Sequence, residues 1–168
     1  MADVPALPTV RIERASVEDH ARIAELTVSV YVDGGLANPE YSVELADVAR
    51  RADLAELLVA RDEDGRLVGS VALVLDGDFG EVTESDDEAA FRMLVVDPAA
   101  QGRGLGELLV TECLRRARAA GKRSMVLSTG PAMTAAHRLY ERLGFTRLPE
   151  RDWTPVPGMH LRAYALDL

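Results

Sequence analysis

The chain has 168 residues, of which 48% are hydrophobic and 28% are charged. This length and composition predict one domain with a sizeable buried core, and they exclude wholesale disorder, a collagen-like repeat and a small disulfide-held scaffold. The 28 Asp and Glu residues outnumber the 19 Lys and Arg residues, so the net charge is −9. Because duplex binding needs a basic surface that neutralises phosphates, we expect no nucleic-acid partner.

The cysteine count and the apolar runs indicate the compartment. Cys113 is the only cysteine in the sequence, which excludes an intramolecular disulfide. Residues 1–8 have no basic segment before an apolar run, which argues against a signal peptide. No apolar run approaches the about 18 residues that a membrane span needs. We therefore expect a soluble, cytoplasmic protein without a membrane partner, with a single-domain core at about residues 9–168 and a flexible segment at 1–8.

The residue pattern of the N-terminal half predicts three strands and two helices. Ser16, with Asp19 three positions later, is an acidic variant of the capping box that begins a helix, and Gly34-Gly35 ends that helix. The Asp-Gly pair at 64–65 predicts a hairpin between two apolar strands. In chain order, the predicted elements are a strand at 10–13, the helix after Ser16, a short helix at 43–52, and strands at 56–61 and 67–75.

The C-terminal half predicts a strand–helix–strand unit followed by a helix and two antiparallel strands. The predicted elements are a strand at 91–97, a helix at 104–120, a strand at 124–129, a helix at 135–143, and two strands within 145–168, the last at 161–166. A crossover of this kind makes its two strands parallel. Because the flanking hairpins are antiparallel, we expect an α/β fold with a central mixed sheet flanked by helices.

The most informative stretch is DPAAQGRGLG at 97–106, between a predicted strand and a predicted helix. Its three alternating glycines leave backbone N–H groups unshielded at a helix N-terminus, where the helix dipole favours anions. Arg103 adds a positive charge suited to phosphate. Glu107 stands where a Rossmann fingerprint needs glycine or alanine, and no Gly-Lys-Ser/Thr of a P-loop is present. A glycine-rich turn without a ligand is the alternative.

Two segments resemble a known family. LVVDP at 94–98 with QGRGLG at 101–106 resembles motif A of the GNAT superfamily (GCN5-related N-acetyltransferases), and AHRLYERLGF at 136–145 resembles its motif B. The resemblance covers about residues 9–168 and implies a splayed sheet with acetyl-CoA between two parallel strands. The residues that it assigns to acetyl-CoA are Leu94, Val95 and Val96 at the pantetheine arm, Gln101, Gly102, Arg103, Gly104, Leu105, Gly106 and Glu107 at the pyrophosphate, and Met133 and His137 beyond them.

The resemblance also implies an acid and a base for acetyl transfer to an amine. Tyr140 matches the family's general acid, which protonates the leaving thiolate; a tyrosine packed in the core is the alternative. The family's glutamate base falls on Ala90 here, so Glu88, two positions earlier on the same strand face, is the candidate base. A chain of waters, with Glu88 only a solvated carboxylate, is the alternative. A backbone N–H near Val96 is expected to stabilise the oxyanion.

Charge and the remaining reactive side chains complete the prediction. Seven acidic and no basic residues lie between 76 and 88, which indicates either an anionic mouth that attracts a cationic amine or a solvated acidic loop.

The histidines are too far apart in sequence to predict a metal site, and His137 is expected on the helix surface beside the cofactor. Cys113 is expected to be a buried, inert thiol. Tyr31 and Tyr41 are candidates for one wall of an acceptor pocket, and Trp153 and Tyr164 for either a pocket wall or the core.

The predicted function is an acetyl-CoA-dependent N-acetyltransferase in which an amine attacks the thioester directly in a ternary complex. A non-catalytic acyl-CoA-binding or regulatory module on the same fold is the alternative, suggested by Ala90. Acetyl transfer to an alcohol or a thiol is a second, more distant alternative. The expected partners are acetyl-CoA and an amine acceptor of unknown identity, and a homodimer stays open.

Overall fold

The described residues fold around one mixed sheet. The structure, a computed structural model, describes residues 9–77, 83–130, 133–155 and 157–168, so the segment expected to be flexible, 1–8, lies outside it. The strands are β1 (Arg11–Arg14), β2 (Glu56–Arg61), β3 (Leu67–Val74), β4 (Glu88–Val96), β5 (Ser124–Thr129), β6 (Thr146–Arg147) and β7 (Arg162–Asp167). The α-helices are α1 (His20–Val28), α2 (Ser42–Ala46), α3 (Val48–Leu54), α4 (Leu105–Ala119) and α5 (Thr134–Arg142).

The sheet has the order β1-β2-β3-β4-β5-β7-β6. Among the paired strands β4 and β5 are parallel and the other neighbours are antiparallel. This arrangement confirms the predicted α/β class with a central mixed sheet. The predicted hairpin between β2 and β3 is also confirmed: Gly65 has a φ of +78°, and the Asp62 carboxylate accepts hydrogen bonds from the backbone N–H groups of Asp64 at 3.0 Å and Arg66 at 2.9 Å.

Helices cover both faces of the sheet. All eight residues of β3 are buried, as expected for a central strand covered on both sides. On one face, α4 and α5 pack over a core that includes Leu73, Leu109 and Leu127. On the other face, α1 and α3 cover a second cluster that includes Ile23 and Val48. Side chains alternate along each strand, so β2, β3 and β4 each contribute to both clusters.

A bulge in β4 separates this strand from β5. Ser70 of β3 pairs with Val95, but Ala72 pairs with Arg92, so β4 holds one extra residue, and Met93 there has a left-handed φ of +54°. The parallel pairing of β4 with β5 covers only three residue pairs, the last being Ala90 with Val126. Beyond that pair β5 continues beside β7, while β4 turns away. The sheet is therefore splayed at this point, as the family resemblance implies.

Several element boundaries differ from the prediction. The predicted helix at 43–52 is two helices, because Asp47 leaves the helical region at φ −82° and ψ 68° and its carboxylate accepts a bond from the backbone of Arg50 at 3.2 Å. The Ser16–Asp19 capping box is present, but it begins a short 3-10 turn before α1. After α1 the chain forms a π-helical turn, Ser29–Asp33, before the predicted glycine stop. β4 begins at Glu88 and therefore includes the candidate base.

Candidate active site

The gap between β4 and β5 is the first part of the site. Leu94, Val95 and Val96 lie on the part of β4 beyond the bulge, where no described residue of β5 pairs with it. Backbone N–H and C=O groups of buried strands are normally paired, so an edge left open inside a sheet is suited to an extended ligand with amide groups. The pantetheine arm of acetyl-CoA is such a ligand, and the gap fits it.

The glycine loop forms the second part, at the N-terminus of α4. Gly102 and Gly104 have φ values of +81° and +76°, and a Cβ built at either position would meet no atom within 4 Å. Gly104 occupies the N-cap position of α4 and has no side chain that could accept a capping hydrogen bond. The first N–H groups of α4 therefore have no partner within the helix. The loop, which contains Gln101 and Arg103, therefore combines open space beside its glycines with backbone N–H donors that have no partner within the helix, which fits a pyrophosphate.

Close packing fixes this helix against its neighbours. A Cβ on Gly106 would lie 3.4 Å from Leu139 of α5 and 4.0 Å from Val96 of β4, which is ordinary van der Waals contact, so the first turn of α4 packs against both elements. The buried side chain of Leu105 anchors the first turn, and Glu107 forms an ion pair with Arg142 at 3.1 Å. The helix N-terminus is thus held from both sides.

Asp97 holds the beginning of the loop, a role that the sequence analysis does not identify. Its carboxylate accepts hydrogen bonds from Arg22 of α1 at 2.8 Å and from the backbone N–H of Ala99 at 3.0 Å. Its own N–H donates to the carbonyl of Val68 at 2.8 Å. An aspartate before Pro98 at a strand end was the available signal, since this residue type commonly bonds the backbone two positions later.

Tyr140 lies in an aromatic cluster beneath the gap. Its side chain is 4% exposed, and its ring centroid is 5.7 Å from that of Phe91 and 6.1 Å from that of Tyr164. No described residue forms a hydrogen bond with its hydroxyl. Burial, followed by the neighbouring Tyr31 and Cys113, raises the pKa of Tyr140 well above its ordinary value. The hydroxyl is therefore protonated at physiological pH, as a proton donor must be.

His137 is buried, and the prediction that it lies on the helix surface is wrong. Only 8% of it is exposed, because its ring packs on Tyr164 with centroids 5.7 Å apart. Its Nε2 lies 3.0 Å from the carbonyl oxygen of Gly130 and 3.3 Å from the hydroxyl of Thr129. Burial lowers the pKa of His137, so the ring is neutral near pH 7. The histidine therefore joins α5 to the end of β5.

Met133 lies directly before α5, where the family often has an asparagine. It occupies the N-cap position and makes no capping bond through its side chain. Its sulfur accepts a hydrogen bond from the hydroxyl of Thr129 at 3.5 Å. A thioether donates no hydrogen bond, so any contact of this side chain with a ligand is apolar.

Glu88 lies at the closed end of the gap. It pairs with Ser124 at the first rung of the β4–β5 ladder, and its carboxylate accepts from both terminal nitrogens of Arg151, at 2.6 and 3.1 Å. A third bond comes from the N–H of Glu84 at 2.7 Å. Although desolvation acts in the opposite direction, the bonds to Arg151 and the backbone lower the pKa of Glu88. This arrangement makes Glu88 a weaker base than an ordinary glutamate.

The rest of the acidic segment at 76–88 has mixed surroundings. Asp78 and Glu81 lie outside the described residues. Lys122 lies 4.0 Å from the Asp76 carboxylate and donates to the backbone carbonyl of Asp86 at 2.6 Å. The carboxylates of Asp86 and Asp87 are exposed at the end of the segment. The contacts with Lys122 are typical of a solvated acidic loop that is tied to the fold. The exposed carboxylates of Asp86 and Asp87 are the candidates for an anionic mouth.

A cavity of about 250 Å³ borders β5 and β7. The residues that line it include Val126, Ser128, Leu148, Arg151, Trp153 and Tyr164. The indole N–H of Trp153 is buried without a partner among the described residues. Trp153 thus lines a pocket, whereas Tyr164, which is 2% exposed, belongs mainly to the core.

The remaining candidates have no place in a nucleophilic or metal site. Cys113 is fully buried, and burial raises the pKa of its thiol, as expected for an inert cysteine. In the part of the chain that the structure covers, no group of three or more His, Cys, Asp and Glu side chains could hold a metal ion. None of the helices built from these residues is both long and apolar enough to span a bilayer.

Comparison with known proteins identifies the same fold. A model described as the acetyltransferase (GNAT) family matches residues 21–145. A GNAT-family acetyltransferase from Staphylococcus aureus Mu50 is similar with a TM-score of 0.77 over 95% of this chain and 99% of that one, at 14% identity. The structure of yncA from Salmonella typhimurium with its cofactor acetyl-CoA is similar with a TM-score of 0.65 over 95% and 94% of the two chains, at 25% identity.

Curated relatives match over part of their length. A mycothiol acetyltransferase of Streptosporangium roseum is 43% identical over 82 residues, which are 49% of this chain and 24% of that protein. The chain spans between 24% and 59% of the length of the first three curated relatives that it matches.

Proposed function

Because the chain belongs to the GNAT family of acetyltransferases, we propose that it transfers the acetyl group of acetyl-CoA to the nitrogen of an amine. The observation that carries this proposal is the separation of β4 from β5 beyond Ala90 and Val126, with the open glycine loop beside it. A paired sheet would leave no room for the pantetheine arm. We propose a single acetyltransferase domain for the whole chain.

In this proposal, the backbone of Leu94, Val95 and Val96 pairs with the pantetheine arm. The N–H groups of the glycine loop bind the pyrophosphate, with Arg103 beside them. His137 holds the end of β5 through Gly130 and so supports the site from within the core. Met133 forms an apolar contact at most.

The chemistry requires no covalent enzyme intermediate. The neutral amine nitrogen attacks the thioester carbonyl carbon, and a backbone N–H of the bulged segment near Val96 stabilises the resulting oxyanion. The C–S bond then breaks, and Tyr140 donates its proton to the leaving thiolate. The tyrosinate is reprotonated by the proton that the amine loses. Atoms and charge balance without a metal or a redox step.

Water, and not Glu88, is the proposed carrier of the amine proton. Glu88 lies on the far side of the last β4–β5 rung, and its carboxylate already accepts three hydrogen bonds. Its lowered pKa also reduces the driving force for removing a proton from an amine. Its proposed role is to hold Arg151 beside the closed end of the gap.

The experiment that tests the proposed function measures binding and turnover separately. Titration calorimetry with acetyl-CoA measures binding, and release of free CoA with a panel of amines, alcohols and thiols measures turnover. Acetylation of an amine supports the proposal. Binding without turnover of any acceptor would instead support the non-catalytic acyl-CoA-binding module that Ala90 suggests. Absence of acetyl-CoA binding would contradict both.

A further inference from the structure

A buried arginine on α3 has no acidic partner among the residues that the structure describes. Arg51 is 2% exposed, and one of its terminal nitrogens donates to the carbonyl of Leu45 at 3.1 Å. The other, Nη2, is buried without a hydrogen-bond partner among the described residues, and none of their carboxylates forms an ion pair with this guanidinium. Buried charges in proteins are almost always paired, because an unpaired one loses its hydration without compensation. Arg51 thus has an unfilled donor.

Other positively charged and phenolic groups surround it. Arg92, beside the bulge in β4, donates to the hydroxyl of Tyr41 at 3.4 Å. Burial and the positive charge of Arg92 lower the pKa of Arg51, while the phenols of Tyr41 and Tyr31 act in the opposite direction. The Asp47 carboxylate also influences Arg51, but it already caps α3. The two guanidinium groups therefore lie within electrostatic reach of each other.

The cluster lies on the sheet face opposite the proposed proton donor, and one member, Tyr31, influences that donor electrostatically. Tyr31 belongs to the π-helical turn after α1, and its carbonyl accepts bonds from the N–H groups of Leu36 at 2.8 Å and Ala37 at 2.7 Å. It packs on the α1 face of the sheet, yet it acts on Tyr140, which packs on the α4 face. An acceptor held by the cluster would enter the gap from the side opposite α4.

We propose that Arg51, with Arg92 and Tyr41, binds an oxyanion group, a carboxylate or a phosphate, carried by the amine acceptor. This inference rests on the proposed acetyltransferase function. The planar guanidinium presents donors in a fork that matches both groups, and the phenol hydroxyl adds a further donor. Exposed carboxylates of Asp86 and Asp87 are compatible with the same acceptor, since an amine with a carboxylate also carries a positive charge.

The first test compares acceptors that differ only in the oxyanion. Release of CoA is measured at saturating acetyl-CoA with L-amino acids against their α-carboxamides, and with phosphoethanolamine against ethanolamine. Concentrations are expressed as free amine, because the pairs differ in amine pKa. We expect kcat/KM to be at least about tenfold higher for the anionic member of one pair. The pair with this preference distinguishes carboxylate from phosphate. Equal values within both pairs would overturn the proposal.

The second test removes the guanidinium. Arg51→Gln should lower kcat/KM of the preferred anionic amine by at least about tenfold and leave that of its uncharged counterpart within about twofold. Arg50→Gln is the matched control, because Arg50 is an exposed arginine on the same helix; it should change neither value. Arg92→Gln is measured in parallel, so the proposal stays testable if Arg51→Gln does not fold by circular dichroism. An equal loss for both members of a pair would overturn the proposal.

A binding measurement separates this inference from the proposed function. Titration calorimetry with N-acetyl-L-amino acids and with N-acetylphosphoethanolamine requires no turnover. If no amine is acetylated, the proposed function fails, but binding that Arg51→Gln abolishes and Arg50→Gln preserves still supports the oxyanion site. Absence of such binding to the wild-type protein in the presence of CoA, together with turnover of uncharged amines, overturns the site and leaves the acetyltransferase function standing.

Discussion

At the scale of single residues, Tyr140 is the side chain on which the proposed chemistry depends most directly. Phenylalanine at this position keeps the ring in its cluster with Phe91 and Tyr164 and removes only the hydroxyl. Because general acid catalysis acts in the transition state, kcat should fall by about 10²–10⁴ with little change in acetyl-CoA affinity. Kinetics, calorimetry and melting temperature on one Tyr140→Phe preparation check this. Wild-type kcat with a changed melting temperature would assign Tyr140 to the core alone.

Glu88 is expected to contribute to stability and little to the reaction. Glu88→Gln removes the ion pair with Arg151, so the free energy of unfolding should decrease at neutral pH. The folded-state pKa of Glu88 is below its ordinary value of 4.5, so this difference should be complete above pH 4.5 and disappear as pH falls through the lowered pKa. Chemical denaturation between pH 3 and 8 measures it.

The kinetic effect of the same variant distinguishes the two routes for the amine proton. We expect kcat to fall by much less than the about 10²–10⁴ that a general base contributes. Glu84→Gln is the matched control, since it removes only an exposed contact with Arg151 at 3.4 Å. A loss of that full size in Glu88→Gln, absent in the control, would restore Glu88 as the base.

Some of the site residues can be predicted from the sequence alone, and others cannot. Tyr140 can be singled out from local sequence, because it lies within the 136–145 segment that resembles motif B. The burial of His137 cannot be predicted in this way, because it depends on a carbonyl seven positions earlier and on Tyr164 of another strand. In the sequence, Arg51 is one of several charged residues of a short predicted helix, and nothing there distinguishes it from the others. Only the tertiary packing of α3 shows that its donor is buried and unfilled.

At the scale of elements, the glycine loop before α4 carries the binding prediction. Gly104→Asp places a side chain and a negative charge where we propose the pyrophosphate, so acetyl-CoA affinity should fall at least about tenfold, or about 1.4 kcal/mol. Gly121→Asp is a matched control, because Gly121 also has a positive φ, +77°, and open space around its Cβ, but lies at the opposite end of α4. Calorimetry that finds equal losses in both variants would attribute the effect to backbone strain.

The bulge in β4 is the element-scale feature that sequence patterns miss. Hydrophobic alternation predicts a strand at 91–97, but one extra residue at Met93 has no signature in composition, since methionine rarely adopts a left-handed φ. The bulge follows from pairing with β3 on one side and separation from β5 on the other. The splay was accessible only through the family resemblance.

At the scale of the whole molecule, the sheet order explains why the site lies where it does. The strand–helix–strand unit and the hairpins are local patterns, and they predict a mixed sheet with one parallel pair. When the strand–helix–strand unit pairs with the hairpins, β4 and β5 lie at the centre of the sheet, with helices on both faces. A gap at this parallel pair therefore lies between the two faces of the sheet, and we propose that acetyl-CoA and the acceptor approach it from opposite sides.

The uneven charge of the molecule gives the last prediction. With a net charge of −9 and exposed acids at Asp86 and Asp87, an ammonium-bearing acceptor should be attracted to this side of the molecule. The double variant Asp86→Asn, Asp87→Asn should raise the acceptor KM at low salt. The rise should shrink as salt increases, since exposed charges are screened over about 8–10 Å at physiological ionic strength.

A control with the same change in net charge separates local attraction from the total charge. Asp62 is avoided because its carboxylate shapes the β2–β3 turn, so the control is Glu63→Gln with Asp64→Asn, two exposed acids of that turn. The steering hypothesis requires that only the Asp86, Asp87 variant raise KM in a salt-dependent manner. If both variants behave alike, or if KM is the same at low and high salt, the segment at 76–88 is a solvated acidic loop whose ionic contacts with Lys122 and Arg151 serve the fold.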